Sequence, residues 1–219
     1  MKKNEDLQKD VQDAIKWEPL LNGANIGVSA QNGIITLTGS VDSYTKKSKA
    51  EDAVKNVIGV RAVVEKIEIE YDSKWKKTDN DIASEVLNAF RWNLEIPNDK
   101  VKVKVEEGWV TLEGDLQWNY QKEAAKESVK VLLGVIGVSN NITINSETID
   151  EVEKKDIERA LLRNWSINDK DIQVGVSGNK VTLSGNVFSL YQKEEAGRIA
   201  WNAPGVWMVD NDLVIEYDD

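Results

Sequence analysis

The sequence predicts an α+β fold made of three tandem small domains, each a three-stranded mixed sheet with two helices on one face. Three observations predict it. A short phrase occurs three times, the apolar residues around it change between helical and strand spacing, and one glycine keeps its place in every phrase. The phrases are GIITLTGSV (33–41), GWVTLEGDL (108–116) and NKVTLSGNV (179–187). Because self-similarity at a long period is typical of duplicated supersecondary units, the fold is predicted copy by copy.

The glycine inside each phrase fixes how the copies align. We call Gly39, Gly114 and Gly185 the anchor glycines; they are 75 and 71 residues apart. Around them the three copies align without a gap from 32 residues before each anchor glycine to 30 residues after it. The same apolar residue type recurs over that length, for example at Leu37, Leu112 and Leu183 and at Val60, Val135 and Val206.

The alignment predicts where the domains begin and end. The three domains are predicted at 7–69, 78–144 and 150–215. The connectors between them, 70–77 and 145–149, are short and polar, as linkers between compact units usually are.

Each copy is predicted to begin with an amphipathic helix, because its apolar residues recur at three- and four-residue spacing. Two strictly alternating runs follow, which is typical of strands with one buried face. Asn32 and Gly33 lie between the two runs of the first copy and predict a hairpin turn, since both residues tolerate positive φ. The helix positions are Val11, Ala14 and Ile15, then Val86, Ala89 and Phe90, then Ile157, Ala160 and Leu161; the first alternating runs are NIGVSA, KVKVKV and DIQVGV.

After the anchor glycine the spacing becomes helical again, with small residues on the apolar side, so the second helix is predicted to lie close to the sheet. A further glycine ends this helix and the last strand follows, which makes the second connection a right-handed crossover. We expect glycine at the anchor position because a side chain would collide with the incoming helix or require an unfavourable φ. The anchor glycines are therefore interpreted as structural, since a phosphate loop needs several glycines and usually a lysine.

The composition argues against an enzyme. The 219 residues include no cysteine and no histidine, which excludes disulfides, thiolate metal sites, cysteine nucleophiles and Ser-His-Asp triads. Acidic pairs such as Glu106-Glu107 and Glu194-Glu195 share no register and lack calcium-loop spacing, so they are interpreted as solvated surface. The sequence predicts a non-enzymatic protein without a cofactor or metal; a metal-dependent carboxylate enzyme is the remote alternative.

The charge and the termini bear on partners and location. The formal net charge of −10 disfavours broad electrostatic binding to nucleic acid or to anionic lipid headgroups. The N-terminal stretch MKKNEDLQKDVQDAIKW lacks the apolar segment of an export signal, and the longest apolar run, VLLGVIGV (131–138), is too short to cross a bilayer. We expect a cytoplasmic protein without a transmembrane segment, or a periplasmic one if a leader was removed.

The order of elements, the anchor glycines and the ending GVIGVSNNITI (134–144) resemble the BON domain, a family named after bacterial osmotic-stress and nodulation proteins. The resemblance extends over three tandem copies. It implies a non-enzymatic α+β module of bacterial stress and envelope proteins that is often proposed to bind phospholipid. Some members of the family are implicated in chaperone-like or potassium-binding roles.

Three aromatic residues are candidate surface contacts: Trp118, Tyr120 and Trp75. Trp118 stands where the other copies have Ser43 and Ser189, and a bulky aromatic that the sister copies lack is not expected in a shared core. Trp75 lies between lysines in the first connector, a combination that suits an anionic membrane or a nucleic acid strand. Amphipathic aromatic side chains serve equally at a headgroup interface and at a protein hot spot.

Other aromatic and amide residues are assigned structural roles. Trp17 and Trp92 align at the end of the first helix and are interpreted as a cap over the edge of the core. Asn140 and Asn211 occupy matching positions of the last strand with inward parity, where an amide is expected to bind backbone groups of a nearby turn.

Two functional hypotheses follow. The leading one is a stress-related binding module that engages phospholipid or an envelope surface through exposed aromatic side chains, and it predicts co-sedimentation with liposomes. The alternative is a protein-interaction scaffold or holdase-like chaperone, which predicts co-purifying proteins or protection of a client against aggregation.

Overall fold

The structure, a computed structural model, describes residues 2–72, 76–145, 152–164, 166–167 and 171–216. Helices and strands follow one another in three groups with the predicted order of helix, strand, strand, helix, strand. The first copy comprises α1 (Asn4–Trp17), a 3-10 turn (Pro19–Leu21), β1 (Asn25–Gln31), β2 (Ile34–Val41), α2 (Tyr44–Lys55) and β3 (Ala62–Ile69). The second comprises α3 (Asp79–Trp92), β4 (Val101–Glu106), β5 (Trp109–Leu116), α4 (Asn119–Lys130) and β6 (Gly137–Ile144). The third comprises α5 (Lys154–Leu162), β7 (Ile172–Ser177), β8 (Lys180–Val187), α6 (Leu190–Trp201), β9 (Met208–Asn211) and β10 (Val214–Ile215).

The strand that contains the anchor glycine is the central strand of every sheet, a point the sequence left open. In the second copy β4 pairs antiparallel with β5, and β5 pairs parallel with β6. Leu112 of β5 lies opposite Val103 on one side and Asn140 on the other. The third copy repeats this register around Leu183. The predicted mixed sheet is thereby confirmed in both copies.

The third copy departs from three strands, because its last strand is divided into β9 and β10, which both pair with β8. Asp212 and Leu213 separate the two segments. The backbone N–H of Asp212 still donates to Leu183 O at 2.8 Å, and the side chain of Leu213 is buried. The polypeptide therefore continues along the central strand although the regular ladder is interrupted.

The first helix of each copy buries the stripe that its spacing predicts. In α3 the helix start is fixed by a reciprocal pair of bonds: Thr78 Oγ1 accepts from Asp81 N at 3.2 Å, and Asp81 Oδ2 accepts from Thr78 N at 3.0 Å. These bonds from Thr78 lower the pKa of the Asp81 carboxyl. The buried helix positions are Leu7, Val11 and Ile15 in α1, Ile82, Val86 and Phe90 in α3, and Ile157 and Leu161 in α5.

The second helices bury small and branched side chains against the sheets, as their composition predicts. These are Ala50 and Val54 in α2, Ala125 and Val129 in α4, and Ala196, Gly197, Ile199 and Ala200 in α6. The glycine that was predicted to end each helix lies four residues beyond its last helical residue, with positive φ at Gly59, Gly134 and Gly205. A turn after the helix thus separates it from the glycine, which leads the chain into the last strand.

The hairpin turns adopt the backbone that Asn-Gly predicts. Asn32 and Gly33 have φ of 50° and 80°, and Glu107 and Gly108 in the second copy have the same two values. The first residue of the first helix binds this turn: Asn4 Oδ1 accepts from Asn32 N at 2.9 Å in the first copy. In the second copy the aligned Asp79 accepts from Glu107 N at 2.9 Å and from Gly108 N at 2.8 Å.

The chain divides into two compact units that do not coincide with the three copies. One unit consists of Met1–Gly39, Ser48–Glu68 and Thr148–Asp219, and the other of Ser40–Lys47 and Ile69–Glu147. The segment Ser40–Lys47, although it belongs to the first copy in sequence, is therefore part of the unit that contains the second copy.

Two contacts explain why this segment groups with the second copy, and a third joins the first connector to the same copy. The side chain of Tyr44 packs against the hydrophobic core of the second copy. Thr45 Oγ1 donates to Lys130 O at 3.1 Å, at the end of α4. Tyr71, from the first connector, donates through its hydroxyl to Val135 O at 2.6 Å, and burial raises the pKa of its phenol.

An ion pair links the first and third copies within the other unit. Lys55 Nζ lies 2.9 Å from Glu51 Oε1 in the same helix and 2.8 Å from Glu194 Oε1 in the third copy. Burial alone would lower the pKa of Lys55, but its bonds to Glu194 and Glu51 outweigh burial and raise it. The first and third copies thus contact one another through their second helices.

Candidate functional site

Trp118 and Tyr120, the preferred contact residues, lie where β5 turns into α4. The side chain of Gln121 fixes this turn, since its Oε1 accepts from Trp118 N at 3.2 Å and from Gln117 N at 3.3 Å. Tyr120 is 51% exposed, whereas Trp118 is half-buried. Tyr120 therefore presents more of its side chain to a partner than Trp118 does.

Two further apolar side chains of the second copy are exposed, at the end of α3 and in the loop that follows it. The loop after α3 enters β4 at Val101, which pairs with Gly114 shortly before β5 ends at Leu116. The loop and the start of α4 therefore meet at one end of the sheet. Trp92, the last residue of α3, is 85% exposed, and Leu94 in the loop is 100% exposed. We call Trp92, Leu94, Trp118 and Tyr120 the aromatic end of the second copy.

The interpretation of Trp17 and Trp92 as caps over the core is wrong. Trp17 is 89% exposed, so both tryptophans project from the ends of their helices. The helical wheel contains the signal that would have shown this. Each tryptophan follows a buried residue, Ile15 or Phe90, by two positions, a rotation of about 200° that turns the side chain away from the core.

Trp75, the third candidate contact, lies outside the described residues, as does Trp165. Among the described residues, exposed aromatic side chains lie at the first-helix ends and at the start of α4, and also at Trp109, Tyr191 and Trp207. In the first and third copies the positions that align with Trp118 are serines; Ser189 is buried and caps α6 by accepting from Gln192 N at 3.1 Å.

All three anchor glycines have positive φ, at 116° for Gly39, 146° for Gly114 and 114° for Gly185. A Cβ built on any of them would overlap the carbonyl oxygen of the residue that precedes or opens the first strand of its copy, for example Asn25 O at Gly39. The steric partner is thus the neighbouring strand backbone, not the crossover helix that the sequence suggested. The conformation makes a tight junction between two backbones and leaves no ligand cradle.

Asn140 joins the last strand of the second copy to the start of α4. It binds the backbone of a helix, whereas the sequence predicts that it binds the backbone of a turn. Its Nδ2 donates to Lys122 O at 2.8 Å, and Lys122 Nζ donates back to Ile142 O at 2.6 Å. Burial lowers the pKa of Lys122. Asn211 makes the matching bond to Lys193 O at 2.6 Å, but its Oδ1 is buried without a partner among the described residues.

The described residues contain neither a cluster of metal ligands nor a helix that could span a membrane. Within residues 2–145 and 152–216, apart from their gaps, no group of three or more Asp or Glu side chains converges as metal ligands would. In the same part of the chain no helix has both the length and the apolar character needed to cross a bilayer.

Comparison with known proteins gives one family and a small number of relatives. The family model described as BON domain matches residues 3–71, 78–146 and 150–217. Osmotically-inducible protein Y of Escherichia coli is 27% identical over 126 residues, which cover 56% of this chain and 63% of that protein. The match thus spans less than two thirds of the length of this relative.

Two solved structures of CdsD, a structural protein of the Type III secretion system of Chlamydia trachomatis, also match, each at 15% identity. Their TM-scores are 0.26 and 0.25, with 99% and 98% of this chain and 100% and 94% of those chains covered. Superpositions this loose support no argument about this protein. The family matches, by contrast, coincide with the three groups of helices and strands, and the chain belongs to the BON domain family, with three tandem copies of the domain.

Proposed function

We propose that this protein is a non-catalytic, osmotic-stress-related binding module that engages a phospholipid or envelope surface through the aromatic end of the second copy. The observation that carries the proposal is the exposure of Trp92, Leu94 and Tyr120 in the second copy. The connection with osmotic stress comes from the name of the Escherichia coli relative. A cluster of exposed large apolar side chains costs solvation free energy unless it serves a contact.

The chemistry of this end suits the interfacial layer of a bilayer. Tryptophan and tyrosine have an apolar ring and a polar edge, and they concentrate at membrane–water boundaries for that reason. The net charge of −10 disfavours attraction to anionic lipids. We therefore expect the binding to depend on aromatic and apolar contacts and to occur on zwitterionic lipids.

Co-sedimentation with vesicles tests the proposal. We expect the protein to sediment with phosphatidylcholine vesicles, and less strongly when phosphatidylglycerol is added. Trp92→Ala combined with Tyr120→Ala should reduce the bound fraction severalfold, and Trp118→Ala should reduce it less. Ile58→Ala, a similarly exposed apolar residue of the first copy, is the matched control. Equal sedimentation of the double variant and the unaltered protein would reject the aromatic end as the contact.

The second candidate function is a protein-interaction scaffold or holdase-like chaperone. One observation favours it: exposed large apolar side chains occur in all three copies, among them Ile58, Val131 and Leu162. A surface of dispersed apolar side chains can contact unfolded clients at many points. The test is light scattering of a heat-denatured model enzyme with and without the protein. Suppressed aggregation without vesicle binding would favour this function over the lipid-binding one.

A further inference from the structure

A groove runs between the two helices of the first copy, and a matching groove runs between the two helices of the third. Their volumes are about 450 Å³ and about 620 Å³. Every residue that lines the first groove aligns with a residue that lines the other. The pairs that differ most in chemistry are Asp13 with Arg159, Trp17 with Arg163, and Glu18 with Asn164.

The two grooves have opposite charge. The rim of the first carries Asp13, Glu18 and Trp17. Lys16 Nζ lies 3.8 Å from Asp13 Oδ1, so Glu18 supplies most of the acidic charge of this rim. The groove of the third copy is walled by apolar side chains, including Ile157 and Ile199, and carries two arginines on one side. Arg159 is paired with Asp156, but among the described residues no carboxylate pairs with Arg163. The third-copy groove thus offers an apolar floor beside the Arg163 guanidinium.

Trp17 has the surroundings that this groove would accept. Its side chain is almost fully exposed, with Asp13 one helical turn before it and Glu18 directly after it. The equally exposed Trp92 lacks these charges, since Asn88 and Asn93 occupy the same two positions. In the second copy Asn93 also bridges the helices by donating from Nδ2 to Ser128 Oγ at 3.1 Å.

We propose that Trp17 of one molecule docks in the third-copy groove of a second molecule. The indole ring lies against the Arg163 guanidinium, an arrangement that the ring quadrupole favours. Asp13 and Glu18 approach Arg159 and Arg163, so that the acidic rim faces the basic one. Because the two contact surfaces differ, the association is heterologous, and a dimer retains one unused tryptophan and one unused groove. Molecules then add head to tail.

The contact is small, and its strength follows from its size. One tryptophan and a few charged side chains bury less than the roughly 1,000 Å² of a stable interface, so the association is weak and reversible. Its charge pairs are exposed to solvent and are therefore screened by salt. These properties define the conditions under which the association is measurable: high protein concentration and low ionic strength.

Sedimentation velocity over a range of protein concentrations tests the proposal. The unaltered protein should show a sedimentation coefficient that rises with concentration and falls back when salt is added. Trp17→Ala and Arg163→Glu should each sediment as monomers. A mixture of these two variants should form a one-to-one dimer and nothing larger, because it contains one intact tryptophan and one intact groove. Trp92→Ala is the control and should associate like the unaltered protein.

Three results would overturn the proposal: a monomer at every concentration, unchanged association of Trp17→Ala, or failure of the two variants to complement each other in the mixture. Circular dichroism and the thermal midpoint establish that each variant is folded. If Arg163→Glu proves unstable, a mixture of two other variants makes the same test. One variant carries Arg163→Ala and the other carries Glu18→Lys. The assay contains no lipid, so its outcome is independent of the function proposed for the aromatic end.

Discussion

At the scale of single residues, the anchor glycines show how one missing side chain shapes a copy. The central strand approaches the start of the first strand so closely that a Cβ at Gly39 would overlap Asn25 O. The backbone at this point also has a φ of 116°, which side-chain-bearing residues rarely adopt. Both constraints act together, so glycine is required by position and by conformation.

We expect Gly39→Ala to lower the free energy of unfolding by about 2–4 kcal/mol, because strained φ and steric overlap add. Gly23→Ala is the matched control, since Gly23 has a φ of 81° but open space around its missing Cβ. It should cost only about 1 kcal/mol. Urea unfolding of both variants measures the difference. Equal losses would show that backbone conformation alone demands glycine.

The residue scale also shows what the sequence could and could not reveal. An unfavourable φ was one of two reasons expected for the anchor glycines, but the steric partner differs from the expected crossover helix, because the preceding strand of the hairpin approaches them first. The exposure of Trp17 was accessible from the wheel position relative to Ile15, yet bulk and hydrophobicity suggested burial. The core is densely packed against one face of the helix, so an aromatic side chain on the opposite face lies outside the core.

At the scale of elements, the first helix is fastened to the hairpin turn by its own first residue. Asp79 accepts from two backbone N–H groups of the turn at Glu107 and Gly108, whereas Asn4 makes one such bond. The second copy therefore has a doubly bonded junction where the first has a single bond. No motif announces this contact in the sequence, since it joins positions 28 and 29 residues apart.

Asp79→Ala should lower the free energy of unfolding by about 1–3 kcal/mol, because two backbone donors lose a charged acceptor. Asp79→Asn should lose less, since an amide oxygen can retain one of the bonds, as Asn4 does. Urea denaturation followed by circular dichroism gives both values. If alanine and asparagine cost the same, the carboxylate makes no second bond of energetic weight.

Glu195 should give the third copy an acid-sensitive contribution to stability. Bonds from Arg198, at 2.7 and 2.6 Å, and from Asn164 Nδ2, at 2.8 Å, lower the pKa of its carboxyl. A lowered pKa stabilises the folded state above the ordinary glutamate value, and this stability is lost as the pH falls through the folded pKa. Since Arg198 is exposed, the contribution is at most about 1 kcal/mol.

The urea midpoint of the unaltered protein and of Glu195→Gln, measured from pH 7 to pH 3, tests this. The two midpoints should differ at neutral pH and begin to converge below about pH 4.3, the ordinary glutamate value, because the folded-state carboxyl takes up its proton only below that pH. Glu85→Gln, in the exposed face of α3, is the control and should parallel the unaltered protein. A difference that persists undiminished at pH 3 would contradict the assignment.

At the scale of the whole molecule, contacts between copies are the part of the fold that an alignment of the repeats does not predict. Tyr44 packs on the core of the second copy, but the aligned residues are Asn119 and Leu190. An alignment of repeats emphasises what the copies share, and a contact between different copies depends on what they do not share. Helices, strands and the mixed sheets were therefore predictable, while the inclusion of Ser40–Lys47 in the second unit was not.

Tyr71→Phe should weaken the second copy by about 0.5–1.5 kcal/mol, because it removes the 2.6 Å bond from the hydroxyl to Val135 O while keeping the ring. Tyr120→Phe is the control, since its side chain is largely exposed and should change stability little. Thermal unfolding monitored by circular dichroism distinguishes the two. A larger effect at Tyr120 would assign the connector no stabilising role.

We propose that the three domains end where the alignment ends them, at 7–69, 78–144 and 150–215. Limited proteolysis should then cut first within 145–149 and leave fragments of intact copies, as expected for a polar connector between compact units. Mass spectrometry of the early fragments locates the cuts. Initial cleavage inside the third copy would place the boundary elsewhere.

The central position of β2, β5 and β8 has a consequence for the history of the protein. In the described chain each sheet completes its ladders with strands of its own copy, and none borrows a strand from another. Duplication or deletion of a gene segment that encodes one copy leaves the remaining ladders intact. The number of copies can therefore change during evolution without breaking the sheets that remain. Each new copy can change its surface residues while its backbone stays the same.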